Sequence, residues 1–266
     1  STPVTATISV TPTLAGCVGT PVSYTITVNP TPTVTVPANA TYCNGDPVPA
    51  SAYTSNPAGA SFAWTNSNTS IGLAASGTGN TPAFNAVNTG STPVTATISV
   101  TPTLAGCVGT PVSYTITVNP TPTVTVPANA TYCNGNPVPA SAYTSNPVGA
   151  TFAWTNSNTT IGLAASGTGN TPAFNAVNIG ATPVTSTITV TPTLAGCVGN
   201  PVTYTITVNP TPTVTVPANA TYCNGDPVPA SAYTSNPVGA TFAWTNSNTT
   251  IGLAASGTGN TPAFNA

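Results

Sequence analysis

The sequence contains no Lys, Arg or His among its 266 residues, and its only acidic side chains are Asp46 and Asp226. General acid–base catalysis and activated nucleophiles both need a side chain that exchanges a proton near neutral pH. We therefore expect no catalytic residue and no enzyme activity. Phosphate groups of nucleic acids and anionic lipids attract mainly Lys and Arg, so we expect neither nucleic acid nor a charged membrane surface as a partner.

Helix-forming residues are also scarce, and no apolar run approaches the roughly 20 residues of a membrane-spanning helix. The first ten residues lack the basic and apolar regions of a signal peptide, so we expect that any secretion signal lies outside this sequence. What the chain does contain is 39% hydrophobic residues, 30 Pro and 23 Gly. This composition predicts a folded chain of short strands separated by turns, with little helix.

The chain repeats itself every 90 residues. The segment STPVTATISV at residue 1 recurs at residue 91 and, slightly changed, at residue 181, and IGLAASGTGNTPAFNA begins at residues 71, 161 and 251. A period of 90 is too long for a solenoid coil and matches one small β-sandwich domain per copy. The repeat therefore predicts a row of similar domains in a rod or filament.

The Pro-rich segment VNPTPTV is the natural linker between copies, because Pro stiffens the chain and resists helix. We therefore expect closing strands of an incomplete repeat at 1–30, complete repeats at 31–120 and 121–210, and opening strands of another repeat at 211–266. Two interpretations stay open. The sequence is an arbitrary piece of a longer array, or residues 1–30 of one chain complete the sheet opened by residues 211–266 of a neighbouring chain through strand addition.

Two-residue alternation marks the strands of a repeat. Apolar residues alternate with Thr and Ser over Val94–Val100 and Val112–Val118, which predicts two half-buried strands joined by a hairpin. Further strands are expected at Phe62–Trp64, Thr33–Val36 and Val48–Tyr53. Six or seven short strands per copy indicate an antiparallel, immunoglobulin-like β-sandwich and an all-β fold.

Each copy carries one Trp, within the motif FAW. An exposed Trp could stack against a sugar, but a Trp that alternates with Phe on one strand is more typical of a sandwich core. We therefore expect core positions for Trp64, Trp154 and Trp244, and no cofactor site.

Six Cys occur at two per period, separated alternately by a shorter and a longer gap, and no CxxC motif or His accompanies them. This pattern indicates disulfides and an extracellular location. Pairing across the longer gap joins Cys43 to Cys107 and Cys133 to Cys197, leaving Cys17 and Cys223 for partners beyond the sequence, and domain integrity favours it. Pairing across the shorter gap uses all six Cys. In a third arrangement Cys43 reaches the loop cysteine of a neighbouring domain, such as Cys197.

The surface carries almost no charge, so little self-repulsion opposes association, and the edge strands lack the Lys that usually blocks edge pairing. We therefore expect self-association, end to end or by strand addition. Attached sugar is the other source of solubility, and the sequence contains acceptor motifs for N-glycosylation. The candidate Asn residues are Asn39, Asn129, Asn219, Asn68, Asn158 and Asn248.

The segments TPTLAGCVGTPVSYTITVNPTPTV and SFAWTNSNTSIGLAASGTGNTPAFNAVN resemble the PKD-like, immunoglobulin-like repeats of very large secreted surface proteins of Bacteroidota-type bacteria. The resemblance covers the whole chain and implies an extracellular or cell-surface location with a spacer, adhesive or filament role. It supplies no catalytic residue. Some PKD relatives bind calcium, but this chain has at most one Asp per repeat, so we expect no metal site. The leading hypothesis is a structural component of an extracellular filament, and the alternative is an adhesin stalk or an array that binds surface glycans.

Overall fold

The computed structural model of the chain describes residues 2–266. The predicted all-β fold of tandem sandwich domains is confirmed. The described residues divide into two compact units, one of residues 2–123, 146–150 and 193–199, and one of residues 124–145, 151–192 and 200–266. Three single-turn 3₁₀ helices are the only helices of residues 2–266, at Thr69–Ile71, Thr159–Ile161 and Thr249–Ile251. None of the described helices is long and apolar enough to cross a bilayer.

The first unit begins with an isolated hairpin. Its long strands pair antiparallel from Val4↔Val28 to Val10↔Val22, and a short pair forms the tip. The hydroxyls of Thr5 and Thr27 lie 3.0 Å apart across the ladder. These strands are β1 (Val4–Val10), β2 (Thr13–Leu14), β3 (Cys17–Val18) and β4 (Val22–Val28).

The first complete repeat follows in the same unit. Its main sheet has the order β10–β9–β12–β14–β6, with β13 paired to β12, and β5–β8 and β7–β11 form two small sheets. The strands are β5 (Thr33–Thr35), β6 (Ala40–Cys43), β7 (Pro47–Val48), β8 (Thr54–Asn56), β9 (Ser61–Asn66), β10 (Ser76–Thr78), β11 (Phe84–Asn85), β12 (Val94–Leu104), β13 (Cys107–Val108) and β14 (Val112–Asn119).

The core of this repeat lies where the alternation predicts it. The inward residues of β12 and β14 are buried, with Ile98 and Val118 at 0% exposure, whereas Thr95 and Thr97 between them face outward. They pack against Trp64 of β9 and against apolar residues of the small sheets. The pattern of period two therefore sets which face of the sheet meets the core.

Two details differ from the sequence-based expectation. A strand over Val48–Tyr53 is wrong: the structure has a strand only at Pro47–Val48 and a single bridge at Ser51, because Pro49 has no N–H to give to a ladder. In addition, β6 was not expected, and it pairs parallel with β14, from Ala40↔Ile116 to Cys43↔Asn119. This parallel pair places Cys43 beside the end of β14.

The second complete repeat copies the first. Its main sheet has the order β16–β24–β22–β19–β20, with β23 paired to β22. The core of the second unit holds Trp154, Ile188 and Val208 at the positions equivalent to those above. The strands are β15 (Thr123–Thr125), β16 (Ala130–Cys133), β17 (Pro137–Val138), β18 (Thr144–Asn146), β19 (Thr151–Asn156), β20 (Ser166–Thr168), β21 (Phe174–Asn175), β22 (Val184–Leu194), β23 (Cys197–Val198) and β24 (Val202–Asn209).

The third copy belongs to the second unit and contains only three small sheets, β25–β27, β26–β30 and β28–β29. The segment equivalent to β6, residues 220–223, is not a strand here, and β28 is shorter than β9. The strands are β25 (Thr213–Thr215), β26 (Pro227–Val228), β27 (Thr234–Asn236), β28 (Ala243–Thr245), β29 (Ser256–Thr258) and β30 (Phe264–Asn265).

Candidate assembly surfaces and the disulfide

The two carboxylates close turns. An oxygen of Asp46 accepts a hydrogen bond from the backbone N–H of Cys43 at 2.8 Å, and Asp226 does the same for Cys223 at 2.9 Å. Within residues 2–266 no group of three Cys, His, Asp or Glu side chains comes together in a way that could hold a metal ion. Each Asp therefore has a local structural role, as expected for an acceptor that satisfies a free N–H in a turn.

Two of the three Trp residues, Trp64 and Trp154, lie in the interior of a sandwich. Trp64 and Trp154 are each 3% exposed, and each indole lies against a Gly of the neighbouring strand. A Cβ at Gly77 would come within 2.3 Å of the Trp64 ring, so only glycine fits below the indole. The buried indoles offer no face to a sugar, whereas Trp244 of the third copy is only half-buried.

Buried hydroxyls join the two layers of each complete repeat. The Tyr53 and Tyr114 hydroxyls are 3.2 Å apart, and the Tyr114 hydroxyl lies 3.1 Å from that of Ser51. In the second repeat Tyr143 and Tyr204 make the equivalent contact at 3.1 Å. Burial disfavours the charged phenolate and raises the pKa of Tyr53 and Tyr143. These phenols therefore act as neutral structural groups.

A disulfide joins Cys43 to Cys197, with 5.5 Å between the Cα atoms. Cys197 lies on the tip of the β22–β24 hairpin, and this tip, residues 193–199, belongs to the first unit together with Cys43. The pairings of Cys43 with Cys107 and of Cys133 with Cys197 are therefore wrong for this structure, and so are the pairings across the shorter gap between cysteines. The reason is geometric, because Cys107 lies on its own hairpin tip while β6 places Cys43 beside the end of the same hairpin at Asn119.

The other four cysteines are unbonded in the described structure. Cys17, Cys133 and Cys223 are exposed, and Cys107 is half-buried. The thiol of Cys107 lies 3.9 Å from the backbone oxygen of Asn29. Bonding partners for these four thiols remain a prediction.

Two hairpin tips in the first unit, at residues 103–108 and 193–198, each contact an Asn of the preceding hairpin. The side-chain amide of Asn119 donates to the backbone oxygen of Ala195 at 3.4 Å, beside the disulfide. The amide of Asn29 donates to the oxygen of Ala105 at the same distance. Both Asn residues lie in the segment interpreted as a linker, so its role as a docking point for the hairpin tip was missed. In the sequence, only the fixed spacing between VNP and LAGC indicated that these two segments could be in contact.

One proline at the start of each complete repeat is buried, Pro32 in the first repeat and Pro122 in the second, each less than 2% exposed. A Cβ at Gly109 would come within 2.0 Å of the backbone oxygen of Pro32. The hairpin tip therefore approaches the backbone at Pro32 so closely that position 109 accepts only glycine.

The hairpin of residues 4–28, which we name the donor hairpin, exposes its apolar face. Ile8, Val10 and Tyr24 are 37%, 55% and 56% exposed, whereas the equivalent Ile98, Val100 and Tyr114 are 0%, 0% and 4% exposed. The sequences of the two hairpins are the same over these strands, and so are the registers of their ladders. The donor hairpin is thus a formed element with an uncovered core face.

The third copy also exposes apolar residues that are buried in the complete repeats. Val214 is 55% and Ile251 is 44% exposed, against 7% and 0% for Val124 and Ile161 in the second repeat. A groove is lined by Val214, Phe242 and Trp244. In the first repeat, the residues equivalent to Phe242 and Trp244 are Phe62 and Trp64, which pair with β12. We name this surface the open face; its members are Val214, Val216, Tyr222, Phe242, Trp244 and Ile251.

The six candidate glycosylation residues occupy two kinds of site. Asn39 and Asn129 are exposed, and the side-chain oxygen of each accepts a backbone hydrogen bond at 2.8 Å, from Thr115 and Thr205 respectively. In the second kind, the side-chain oxygen caps a 3₁₀ helix, at Asn68, Asn158 and Asn248. Asn219 is exposed. Glycosylation at all six stays a prediction.

Comparison with known proteins agrees with this architecture. The sequence profile of the PKD-like domain matches residues 40–122 and 130–212, which is more than half of the chain. The chain belongs to the PKD-like domain family. The first match spans β6 to the end of β14, so one PKD-like repeat here contains both strands of the parallel pair. No curated protein matches the sequence.

Solved structures of tandem domains have weak similarity to this chain. The first two immunoglobulin domains of DIP-gamma are 12% identical, with 68% of this chain and 98% of that chain covered and a TM-score of 0.39. Cadherin domains 1–4 of protocadherin gamma B7 are 7% identical, over 98% of this chain and 74% of theirs, with a TM-score of 0.38. Mouse cadherin-23 EC22–24 is 10% identical, over 72% and 70%, with a TM-score of 0.33.

Proposed function

We propose that these PKD-like repeats are a non-catalytic structural component of an extracellular or cell-surface filament, in which the donor hairpin of one copy completes the open face of the next. The family and the disulfide support an extracellular setting. The resemblance of the sequence supports a secreted surface protein of Bacteroidota-type bacteria as its source. The observation that carries the proposal is the match between the two uncovered apolar surfaces.

The complete repeats act as a template for the docked state. In the first repeat Val100 pairs with Trp64 and Ile116 pairs with Ala40. The same register in a complex of two copies pairs Val10 with Trp244, along the free edge of β28. Full burial of a Val or Ile side chain contributes about 1.5–3 kcal/mol relative to exposure. Several such side chains on the donor hairpin would therefore favour docking.

Backbone pairing adds to this burial. The residues equivalent to β6 form a strand in both complete repeats, where a hairpin lies beside them, and form none in the third copy. The donor hairpin already has its internal ladder and its Thr5–Thr27 contact, so docking orders few further residues. A preformed donor lowers the entropic cost of association. This is addition of a β-hairpin to an exposed sheet edge.

A pair of charge variants tests the proposal. We expect Ile8→Asp to abolish assembly of the purified chain, because the carboxylate would enter the core of the docked repeat. Thr7→Asp is the matched control, since its equivalent Thr97 faces outward in the complete repeat, and we expect it to assemble like the unchanged chain. Electron microscopy and light scattering measure the filaments. Equal assembly of both variants, or no assembly of the unchanged chain, contradicts the proposal, and persistent monomers would favour the adhesin-stalk alternative.

Hydrogen exchange supplies an independent readout. On assembly we expect slower exchange of backbone amides in residues 4–28, 220–223 and 243–245, because these gain ladder partners. Amides of the second repeat serve as the internal reference. Protection elsewhere without protection of these three segments would indicate a different contact between copies.

A further inference from the structure

The one disulfide of the structure shows how a hairpin tip is fixed to a neighbouring repeat. Cys43 lies beside Asn119 in the parallel pair, and the Asn119 amide donates to Ala195 on the tip that carries Cys197. The Asn thus orients the tip while the two sulfurs bond. Bonding is accompanied by burial, since Cys197 is 1% exposed.

The hairpin tip that carries Cys107 has the same Asn contact but no disulfide. The Asn29 amide donates to Ala105 at 3.4 Å, as the Asn119 amide does to Ala195, and the Cys107 thiol lies 3.9 Å from the Asn29 oxygen. Cys107 is therefore held where Cys197 is held, and lacks only a cysteine beside Asn29. In residues 2–266 nothing pairs with Asn29 as Cys43 pairs with Asn119.

We infer that Cys223 forms a disulfide with Cys107 of a second copy. The inference rests on the proposed docking, in which the donor hairpin of the second copy lies against the third repeat and brings Asn29 beside Cys223. The sequence ATYCNGDPVPASAY around Cys223 is the same as that around Cys43. Cys133 does not compete for this place, because it already pairs with Asn209 of its own repeat. The same relation assigns Cys133 to Cys17 of the second copy.

The bond needs an oxidant. Two thiols lose two protons and two electrons as the sulfur–sulfur bond forms, and a small-molecule disulfide such as oxidised glutathione accepts them, giving two molecules of glutathione. The reaction proceeds by exchange, with a thiolate attacking the disulfide, so it requires accessible thiols. Cys223 is exposed. The filament would thereby be covalent along its length.

Peptide mapping of an isotope mixture tests the inference. Unlabelled and ¹⁵N-labelled chains are mixed, assembled, oxidised with oxidised glutathione and digested with pepsin, because the chain has no Lys or Arg for trypsin. We expect the AGCVGTPVSY peptide linked to ATYCNGDPVP in pairs of mixed isotope. The Cys43–Cys197 link gives a different pair, since Cys197 is followed by VGNPVTY. That internal link stays within one isotope.

Single variants assign the repeated peptides, because Cys17 and Cys107 lie in the same sequence. Cys223→Ser should remove the mixed pair containing ATYCNGDPVP, and Cys17→Ser should leave it. Recovery of Cys107 as a free thiol in oxidised filaments, persistence of that pair in Cys223→Ser, or pairs of one isotope only would overturn the inference.

Assembly of the reduced chain separates this inference from the proposed function. Docking of the donor hairpin is noncovalent, so light scattering should show filaments with a reductant present. A reduced chain that stays monomeric refutes the docking itself. Filaments in which oxidation leaves Cys107 unbonded to Cys223 refute only the disulfide.

Discussion

At the scale of single residues, the interior of each repeat contains a few polar side chains that the pattern of apolar residues does not predict. Asn88 is 5% exposed, and its amide donates to the backbone oxygens of Thr92 and Val118 at 2.8 and 2.7 Å. Ser186 replaces the buried Ala96 of the first repeat and donates to Asn156. Asn88 and Ser186 are tolerated in the interior because each makes a hydrogen bond there.

The buried Tyr side chains should make the folded state less stable at alkaline pH. Because the pKa of Tyr53 and Tyr143 is raised in the folded state above the unfolded value of about 10, their contribution to stability is complete below that pH and is lost as the pH rises above it. We expect the free energy of unfolding to fall between about pH 10 and 12, and to fall less steeply in the Tyr53→Phe/Tyr143→Phe variant. Urea titrations at each pH measure this, and equal slopes would contradict it.

At the scale of elements, the hairpin tip that contains Gly109 packs tightly against the backbone at Pro32. We expect Gly109→Ala to lower the free energy of unfolding by about 1–3 kcal/mol, since overpacking of a tight site typically costs this much. Gly19→Ala is the control: an added Cβ there meets Pro12, as one at Gly109 meets Pro102, but no backbone oxygen of a preceding segment at 2.0 Å. Thermal unfolding of both variants checks the difference, and equal losses would show that the Pro32 contact is unimportant.

The long strands could be predicted from sequence, whereas the contacts between elements could not. Alternation over Val94–Val100 and Val112–Val118 marks both strands because one face of each is buried. The strand Ala40–Cys43 is short and carries no such pattern, and its parallel pairing depends on β14 lying beside it. The Cys43–Cys197 bond was one of three arrangements left open by spacing, since spacing alone does not give the distance between Cα atoms.

At the scale of the whole molecule, the formal net charge is −2 and no cation is present on any side chain. Association therefore depends on apolar burial and backbone pairing, and little on ion pairs. We expect the assembly rate to change little between 10 mM and 500 mM NaCl, although the Debye length falls from about 30 Å to a few ångström over this range. Light scattering against salt concentration measures it, and a steep dependence would indicate a charged partner or surface.

The Cys43–Cys197 bond also determines how tension passes along the chain. A pull applied to residues before Cys43 and after Cys197 crosses directly from one sulfur to the other, so the backbone between these cysteines, which are 154 positions apart in sequence, carries no load. Strands β7 to β22 lie between the two cysteines, whereas β5 and β24 lie outside them. Mechanical extension is thereby confined to the outer segments for as long as the bond is intact.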